Sequence, residues 1–508
     1  MSCIRLARHL WFVALFLLSV ARAMAQESAL TVSPNWNKTL TTSRTTATLQ
    51  VVVNPPLRRG TPVHDNAFQS LRDLGADYVR FVPWLPYPRL GVAELKPPTS
   101  QETFWDFSLV DPITLDFLNA TTGHAAALNF SIIPQWMFKT EKPVAYPDDP
   151  NQVIWNYQQG TEPRDPSFME IAEYYGRLLS WYTKGGFTDE LGKFHESGYH
   201  YSIPFWEVLN EVDFEHHMSP ETYTLAYDAI VTEMRKVQPG TKFIGAALAA
   251  PGQNPPFFEY FLNPKNHRAG IPLDYISYHF YAIPTPDETL DIQQHTVFAH
   301  ADGFLNTVRY VEAIRKRLSP DTQTMINEIG IISAEDGSQG EPGHITKPIS
   351  DTYWNLAGVE FAYLFGQLTE LGIQVTGESQ LVGYPTQYPS VSMVNWADGK
   401  PNARFWVLKL LKDNFGPGDQ LVEIAPFAES VHNTEYLYDL AVLTKSGKRK
   451  VLLVNKRNRN LEISIPGGRN GQIDFDDVTT GTQPPATTKL TADAFTLHSF
   501  SVAVVTLP

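Results

Sequence analysis

Short apolar stretches alternate with amphipathic stretches from about residue 48 to residue 415. Short apolar runs predict buried strands, and apolar residues spaced three and four apart predict helices. Strands that alternate with helices in this way predict parallel βαβ units. Eight strands are predicted, at residues 49–53, 78–82, 126–133, 205–209, 242–247, 275–280, 324–329 and 373–376. Eight units within residues 48–415 predict a closed (β/α)8 barrel with long loops, an α/β fold.

One predicted helix shows how clear this pattern is. Ser219 is a favourable N-cap, Pro220 suits the first helical position, and Gly240 is a stop signal. Between them, apolar residues recur at helical spacing at positions 223, 226, 227, 230, 231, 234 and 237. The helix directly follows the strand that leads into Glu211, so we expect it to belong to the fourth βα unit.

The helical pattern ends at about residue 416. Short strands with turn residues between them follow, at 421–424, 437–443, 450–454, 461–465, 472–475 and 499–507, and Ser446-Gly447 marks one hairpin. Residues 416–508 are therefore predicted to form a β-sandwich accessory domain. Residues 26–47 are rich in Thr and Ser and predict an extended N-terminal segment, which is a candidate for a further strand of that sandwich.

Residues 1–25 have the pattern of a secretory signal peptide. Arg5 and Arg8 precede an apolar run at 10–20, and the small residues Ala21, Ala23 and Ala25 suit cleavage after Ala25. The alternative, an uncleaved anchor, is disfavoured because the run is too short to span a bilayer. The sequence thus predicts a secreted, extracellular protein, or a periplasmic one in a bacterium. No later segment is long and apolar enough for a membrane helix, so no stable membrane insertion is expected.

Composition narrows the function further. The single cysteine, Cys3, lies inside the predicted signal, so the mature chain would lack disulfides, thiolate metal sites and a cysteine nucleophile. The chain has a formal charge of −14, and loss of Arg5, Arg8 and Arg22 with the signal would take it to −17. Such a charge repels nucleic acid and acidic membranes and suits a neutral substrate.

Two predicted strands each end in an Asn-Glu pair. Residues 205–211 lead to Asn210-Glu211, and residues 324–330 contain Asn327-Glu328. Catalytic groups of a barrel project from the C-terminal ends of its strands. Two carboxyl groups across one cleft are the minimum equipment for glycosidic hydrolysis, one as acid/base and one as nucleophile. Either glutamate alone would fit a surface ion pair or a helix cap, but the pair, three βα units apart, favours catalysis.

Four further residues are candidates for supporting roles. Asn210 could bind the sugar 2-hydroxyl, a contact that strengthens in the transition state, or it could simply cap the loop. His279 and Tyr281 share one strand face by their period of two and could orient Glu328, although a strand histidine is more often a core residue. Arg80 is a charge inside an apolar strand, so it needs a carboxylate partner, and the nucleophile is a candidate.

Three tryptophans, Trp84, Trp136 and Trp396, fall near strand ends or barrel-face loops. They could stack on sugar, and core packing is the alternative for at least one of them. The Glu-His-His sequence at 215–217 resembles a metal cluster. However, adjacent loop histidines rarely form a closed site, and no third ligand stands at motif spacing. The sequence contains no phosphate-binding loop or hydrolase elbow, so neither a metal nor an organic cofactor is predicted.

Four stretches resemble clan A glycoside hydrolases, and most closely family 39, the β-xylosidase and α-L-iduronidase family. They are residues 103–111 (TFWDFSLVD), 207–211 (EVLNE), 273–279 (LDYISYH) and 327–328 (NE). The two glutamates lie 117 positions apart, which is similar to that family. The resemblance covers residues 48–415. It implies that Glu211 is the proton donor and Glu328 the nucleophile, with Asn210, His279 and Tyr281 as supporting residues.

The first hypothesis is therefore a retaining, β-xylosidase-like glycosidase that acts on a neutral oligo- or polysaccharide. A second is a non-catalytic carbohydrate-binding protein on a degenerate barrel, because the eighth strand lacks the aromatic platform expected there. A third is a transglycosylase that uses the same residues. Departures from the family pattern at Leu209, Asn327 and Ile329-Gly330 surround the sugar subsite. The sequence leaves open the sugar, exo or endo action, and the oligomeric state.

Overall fold

The computed structural model describes residues 29–142, 146–154, 160–334, 336, 348–385, 388–424 and 434–508. The predicted signal peptide, with Cys3, lies outside the described residues. Within the described ranges, no helix combines the length and hydropathy that a membrane crossing requires.

From residue 46 to residue 414 the strands of one sheet alternate with helices, and strands follow one another from residue 420 onward. In chain order, the strands are β1 (Leu30–Thr31), β2 (Pro34–Thr42), β3 (Thr46–Val52), β4 (Val79–Val82), β5 (Ala126–Leu128), β6 (Gly186–Thr188), β7 (Phe194–Glu196), β8 (Phe205–Glu207), β9 (Lys242–Leu248), β10 (Tyr275–Ala282), β11 (Gln323–Ile331), β12 (Val375–Glu378), β13 (Gln420–Ile424), β14 (Leu437–Leu443), β15 (Arg449–Asn455), β16 (Leu461–Ser464), β17 (Gln472–Asp476), β18 (Ala486–Lys489), β19 (Ala494–Leu497) and β20 (Val502–Thr506). The α-helices are α1 (His64–Leu74), α2 (Asp111–Ala120), α3 (Met169–Thr183), α4 (Pro220–Val237), α5 (Pro255–Phe261), α6 (Leu290–Leu318), α7 (Asp351–Leu371) and α8 (Ala403–Asn414).

Eight parallel strands close into a barrel in the order β3-β4-β5-β8-β9-β10-β11-β12, and β12 pairs with β3. The predicted (β/α)8 fold is confirmed, and each of the eight predicted strands overlaps an observed one. The third strand is shorter than predicted. It ends at Leu128, although the backbone N–H of Asn129 still donates to the carbonyl of Phe81 on β4, and the Asn129 side-chain amide donates to a carboxylate on the neighbouring strand β8.

Strand β8 shows how alternation places side chains in this barrel. Phe205 packs inside the barrel against Tyr275, with ring centroids 5.6 Å apart. Trp206 faces the helical layer, is 1% exposed and stacks on Phe130 at 5.8 Å. Because strand side chains alternate between faces, Glu207 returns to the barrel interior. Burial of Trp206 thus fixes the strand, and truncating that side chain would cost about 3–5 kcal/mol.

The predicted helix after Glu211 is α4. The Ser219 hydroxyl accepts a hydrogen bond from the backbone N–H of Thr222, as an N-cap should, and Pro220 is the first helical residue. The helix buries Tyr223, Tyr227 and Met234 against the barrel and ends at Val237. This packing anchors the loop that carries Glu211, because α4 begins only nine positions after that residue.

The chain after α8 forms two further sheets together with the N-terminal strands, and all their strand pairs are antiparallel except β1–β16, which is parallel. One has seven strands in the order β18-β17-β20-β15-β14-β13-β2, and the other has three in the order β1-β16-β19. This agrees with the predicted C-terminal β-sandwich, and the predicted hairpin turn at Gly447 joins β14 to β15. The N-terminal segment completes the sandwich, since β2 pairs with β13 and β1 pairs with β16.

Candidate active site

A cavity opens at the C-terminal end of the barrel strands. It contains about 580 Å³ of space between atoms, part of which is open to solvent. Most of its lining residues lie on or directly after the barrel strands: Gln50, Val52, Val82, Trp84, Asn210, Glu211, Phe214, Tyr281, Glu328, Ile332, Ser379, Gln380, Tyr388 and Val391. Both glutamates singled out from the sequence therefore face the same cavity.

Glu211 and Glu328 converge on His279. One carboxylate oxygen from each glutamate and one ring nitrogen of His279 all lie within 4.8 Å of one another. The side chain of Glu211 is 15% exposed and that of Glu328 is 8% exposed, so each retains some access to the cavity. Two carboxyl groups that are 117 positions apart in sequence thus lie at the distance needed to act on one bond.

Glu328, on β11, receives hydrogen bonds at both carboxylate oxygens. Arg80 donates through Nη1 to Oε1 at 2.5 Å, and the Tyr281 hydroxyl donates to Oε2 at 2.6 Å. His279 Nε2 lies 3.5 Å from Oε1. Burial alone would raise the pKa of Glu328, but the charges of His279 and Arg80 and these hydrogen bonds outweigh it and lower the pKa. The environment therefore favours an ionised Glu328.

Glu211 follows β8 in a less charged environment. Its Oε1 lies 2.9 Å from His279 Nδ1. Burial raises the pKa of Glu211 above its ordinary value, the negative charge of Glu328 adds to that shift, and the contact with His279 reduces it without cancelling it. The backbone is unusual here, with φ of +65° at Leu209 and +39° at Glu211. Such strain persists only where the surrounding structure holds it, and here it directs the carboxyl group toward the cavity.

His279 lies between the two glutamates and is 1% exposed. Burial alone would lower its pKa, but the negative charges of Glu328 and Glu211 raise it above the ordinary histidine value. An imidazolium here would interact favourably with both carboxylates. The sequence predicted that His279 orients Glu328, and the structure also places it against Glu211.

Arg80 is 1% exposed and has four acceptors. Nε donates to Glu207, Nη1 to Glu328 and Gln50, and Nη2 to Asn210 at 2.5 Å. The structure therefore contains the contact between Arg80 and Glu328 that the sequence suggested. A buried guanidinium with its donors engaged in this way is held rigidly beneath the cavity floor.

Glu207 is a buried residue of the site that no sequence pattern indicates. Its carboxylate accepts from Arg80 Nε, from Asn129 Nδ2 at 2.5 Å, from Ser277 Oγ at 2.5 Å and from Asn327 Nδ2 at 2.7 Å. These donors come from four other strands or strand ends. Glu207 is therefore a structural carboxylate that joins five segments of the barrel.

Ser379 supports the surroundings of Glu328 from the end of β12. Its hydroxyl lies 2.7 Å from the Tyr281 hydroxyl and accepts from Gln50 Nε2 at 2.6 Å. Arg404, on α8, donates to the carbonyl oxygen of Ser379 and to Glu378 Oε1 at 2.8 Å. The Tyr281 hydroxyl, which donates to Glu328, is thus positioned by a chain of contacts that runs through Ser379 to Arg404 in the outer helical layer.

Glu215 is a second acidic residue of the site that was not predicted from the sequence. Its Oε1 accepts from Asn210 Nδ2 at 2.7 Å and from the indole N–H of Trp84, and its side chain is 2% exposed. The neighbouring His216 is also buried. The sequence places residues 215–217 on a loop, and the first two of these side chains pack into the molecule beside the cavity.

Among the described residues, Glu211, His279 and Glu328 form a group close enough to hold a metal ion. Arg80 already places a positive charge 2.5 Å from Glu328 Oε1, and this charge would oppose a divalent cation. The arrangement suits proton transfer and nucleophilic attack better than metal coordination.

Trp84 lines the cavity, whereas Trp136 and Trp396 do not. Trp136 donates through its indole N–H to the carbonyl of Glu94 and lies under the guanidinium of Arg164. Trp396 lines a separate groove on the loop that follows β12. The aromatic residues that accompany Trp84 at the cavity are Phe214, which is 65% exposed, and Tyr388. Phe214 could have been suspected from its position three residues after Glu211.

No protein-family model and no curated protein matches this sequence. Solved structures do match, across 94% of this chain. A GH51 arabinofuranosidase from Xanthomonas axonopodis pv. citri has a TM-score of 0.62 and 12% identity, with 99% of its chain covered. AbfB, a family 51 α-L-arabinofuranosidase from Bifidobacterium longum, has a TM-score of 0.62 and 13% identity, also with 99% covered. A GH30 endoxylanase from Clostridium papyrosolvens C71 has a TM-score of 0.56 and 14% identity, with 100% covered. This chain therefore shares the fold of these enzymes, a (β/α)8 barrel with antiparallel sheets.

Proposed function

We propose that this protein is a retaining clan A glycoside hydrolase that cleaves O-glycosidic bonds of a neutral oligo- or polysaccharide. The observation that carries the proposal is the Glu211–Glu328 pair, whose oxygens lie within 4.8 Å across one cavity. Retaining glycosidases hold their carboxyl groups about 5–5.5 Å apart, and inverting ones about 6.5–9.5 Å. The arabinofuranosidases and the xylanase that share the fold support the same class of reaction.

The directions of the two pKa shifts support the two proposed roles. Glu328, whose pKa is lowered, is the ionised nucleophile, and Glu211, whose pKa is raised, carries the proton. Glu328 attacks the anomeric carbon while Glu211 protonates the leaving oxygen, which gives a glycosyl-enzyme and a free alcohol. Glu211, now a carboxylate, takes a proton from water as that water attacks the anomeric carbon and releases Glu328. The configuration at that carbon is inverted twice and so is retained.

Asn210 is well placed for the sugar 2-hydroxyl. Its Oδ1 accepts from Arg80, and one Nδ2 hydrogen is donated to Glu215. The amide lines the cavity, and its second Nδ2 hydrogen remains for the substrate. A hydrogen bond to the 2-hydroxyl strengthens as charge develops on the ring, so it would lower the barrier and not only improve binding.

The charges around the cavity favour a neutral sugar. None of its lining residues, all of which are described, is a lysine or an arginine. Arg80, beneath the floor, is buried and already donates to four acceptors, so a uronate would have to displace one of them. We infer a neutral glycone, with a family 39-like β-xyloside as the first candidate.

The proposal includes export of the mature chain from residue 26, which N-terminal sequencing of the secreted protein would test.

The test begins with a panel of nitrophenyl glycosides to find a substrate. With that substrate, Glu328→Ala should reduce hydrolysis to background, and azide should restore turnover and release a glycosyl azide. A 2-fluoro glycoside should label the wild-type enzyme covalently at Glu328. Glu259→Ala, which removes a surface glutamate paired with Arg317, is the matched control and should retain activity without responding to azide.

Unchanged activity of the Glu328 variant would refute the assignment of the nucleophile. Binding of sugar without turnover or covalent labelling would favour the carbohydrate-binding alternative. Product analysis with added acceptor alcohols would reveal transglycosylation, which uses the same residues.

A further inference from the structure

Glu215 contacts the catalytic machinery but has no part in the steps above. It lies four residues after Glu211, and its backbone N–H donates to the carbonyl of Glu211 at 2.7 Å. Its side chain accepts from Asn210 and from Trp84, both of which line the cavity. One buried carboxyl group thus joins the acid/base loop, the amide beside the acid/base and an aromatic wall of the cavity.

The surroundings of Glu215 favour its neutral form. Within the described chain, no lysine or arginine pairs with it, and Oε2 is buried without a hydrogen-bond partner. His216 Nε2 lies 4.0 Å from that oxygen, and burial lowers the pKa of His216 to about 4, so its ring is uncharged near neutral pH. Burial and the nearby charge of Glu211 raise the pKa of Glu215 well above its ordinary value. A proton on Oε2 leaves Oε1 as the acceptor for both donors.

The two contacts of the Asn210 amide lie at its opposite ends. Oδ1 accepts from Arg80 Nη2 at 2.5 Å, and Nδ2 donates to Glu215 Oε1 at 2.7 Å. Arg80 cannot accept a hydrogen bond and Glu215 Oε1 cannot donate one, so the amide cannot flip without losing both bonds. The remaining Nδ2 hydrogen therefore has a fixed direction. Trp84, whose ring centroid lies 5.9 Å from that of Tyr388, is tied to the same oxygen.

We propose that Glu215 is a positioning residue that acts as a neutral carboxylic acid and fixes the Asn210 amide for the sugar 2-hydroxyl while it holds Trp84 at the cavity wall. This inference rests on the proposed glycosidase function. Its effect is exerted through Asn210, so it should be largest in the transition state, where the bond to the 2-hydroxyl is strongest. A Glu215 that merely filled space would affect stability and not this contact.

The experiment compares Glu215→Ala, Glu215→Gln, Asn210→Ala and the double variant E215A/N210A. The substrates are the best nitrophenyl glycoside and its 2-deoxy analogue. We expect E215A to lower kcat on the full substrate by about tenfold, with a smaller change in KM, because one oriented hydrogen bond is lost. E215Q should restore most of that activity, since a glutamine also offers an uncharged acceptor to both donors. On the 2-deoxy substrate the loss in E215A should shrink, and the double variant should be no slower than N210A.

Three results would overturn the proposal. The first is an equal loss of kcat in E215A on the full and the 2-deoxy substrate. The second is a loss of kcat in the double variant that equals the sum of the two single losses on a logarithmic scale. The third is a folded E215Q whose kcat is as low as that of E215A. Should E215A fail to fold, Trp84→Phe still tests the arrangement. That variant removes one of the two donors to Glu215 and should change KM more than kcat. A larger change in kcat than in KM would contradict the role proposed for Glu215 in holding Trp84. A failure of the glycosidase function itself would appear separately, as an inactive wild type or a fully active Glu328→Ala.

Discussion

The Tyr281 hydroxyl offers a direct test of how Glu328, the proposed nucleophile, is kept ionised. It donates to Glu328 Oε2 at 2.6 Å and lies 2.7 Å from Ser379 Oγ. Burial raises the pKa of Tyr281 well above its ordinary value, so the hydroxyl remains a donor across the working pH range. Tyr281→Phe removes one oxygen and leaves the ring, so packing around the site should change little.

The size of the effect follows from the charge on the acceptor. A hydrogen bond to a charged group contributes about 1.5–3 kcal/mol. One pKa unit corresponds to about 1.4 kcal/mol, so loss of this bond should raise the pKa of Glu328 by about 1–2 units. Glu328 must be ionised to attack, and kcat/KM therefore falls as the pH drops through its pKa. The acidic limb of the profile should move upward by that amount, while the alkaline limb, which reports Glu211, should stay nearly in place.

The assay is the pH dependence of kcat/KM for wild type and Tyr281→Phe on the same nitrophenyl glycoside. Tyr227→Phe is the matched control, because Tyr227 is buried and its hydroxyl donates to the carbonyl of Pro272, on the outer side of the barrel. That variant should lose some stability and keep both limbs where they are. An acidic limb that stays fixed in Tyr281→Phe would refute the idea that this hydroxyl stabilises the ionised nucleophile.

Two further predictions concern stability. Arg80→Met leaves Glu207 buried without its cation. It should lower the free energy of unfolding, measured in urea, by about 3–5 kcal/mol. A loss below about 1 kcal/mol would show that the other hydrogen bonds to Glu207 are enough to stabilise its buried charge. Glu360, on α7, is fully buried, and burial raises its pKa to about 8. In the unfolded state this carboxyl group loses its proton above about pH 4.5, whereas in the folded state it keeps the proton up to about pH 8. Stability should therefore fall as the pH rises from about 4.5 to 8, by up to about 1.4 kcal/mol per unit, and Glu360→Gln should flatten this slope in urea titrations at several pH values; an unchanged slope would contradict the assignment.

Arg80 and Glu207 show why part of this site could be predicted from the sequence and part could not. A lone charge among Val79, Phe81 and Val82 requires a carboxylate partner, so a contact for Arg80 follows from burial cost alone. Glu207 gives no such signal, because its donors come from other strands and meet only when the barrel closes.

The barrel strands could likewise be predicted from the sequence, whereas the positions of the loop residues could not. The barrel itself follows from local periodicity, since each strand and helix has its own pattern, and the eight predicted strands overlap the observed ones. Whether a loop tryptophan reaches the cavity depends on the path of the loop, which that periodicity does not encode. Trp84, two residues beyond β4, lines the cavity, whereas Trp396, eighteen residues beyond β12, lies on a separate groove.

Four carboxyl groups meet around this cavity, and their surroundings give each a different chemistry. Glu207 is saturated by four donors and fully buried, so it has no capacity left for a substrate. Glu328 has fewer donors and some exposure, and its lowered pKa makes it an accessible anion. Glu211 and Glu215 both have raised pKa values, but only Glu211 lines the cavity, so of these two only Glu211 is placed for the proposed transfer of a proton to the leaving group. The division of labour follows from the neighbours of each glutamate, since the four side chains are chemically identical.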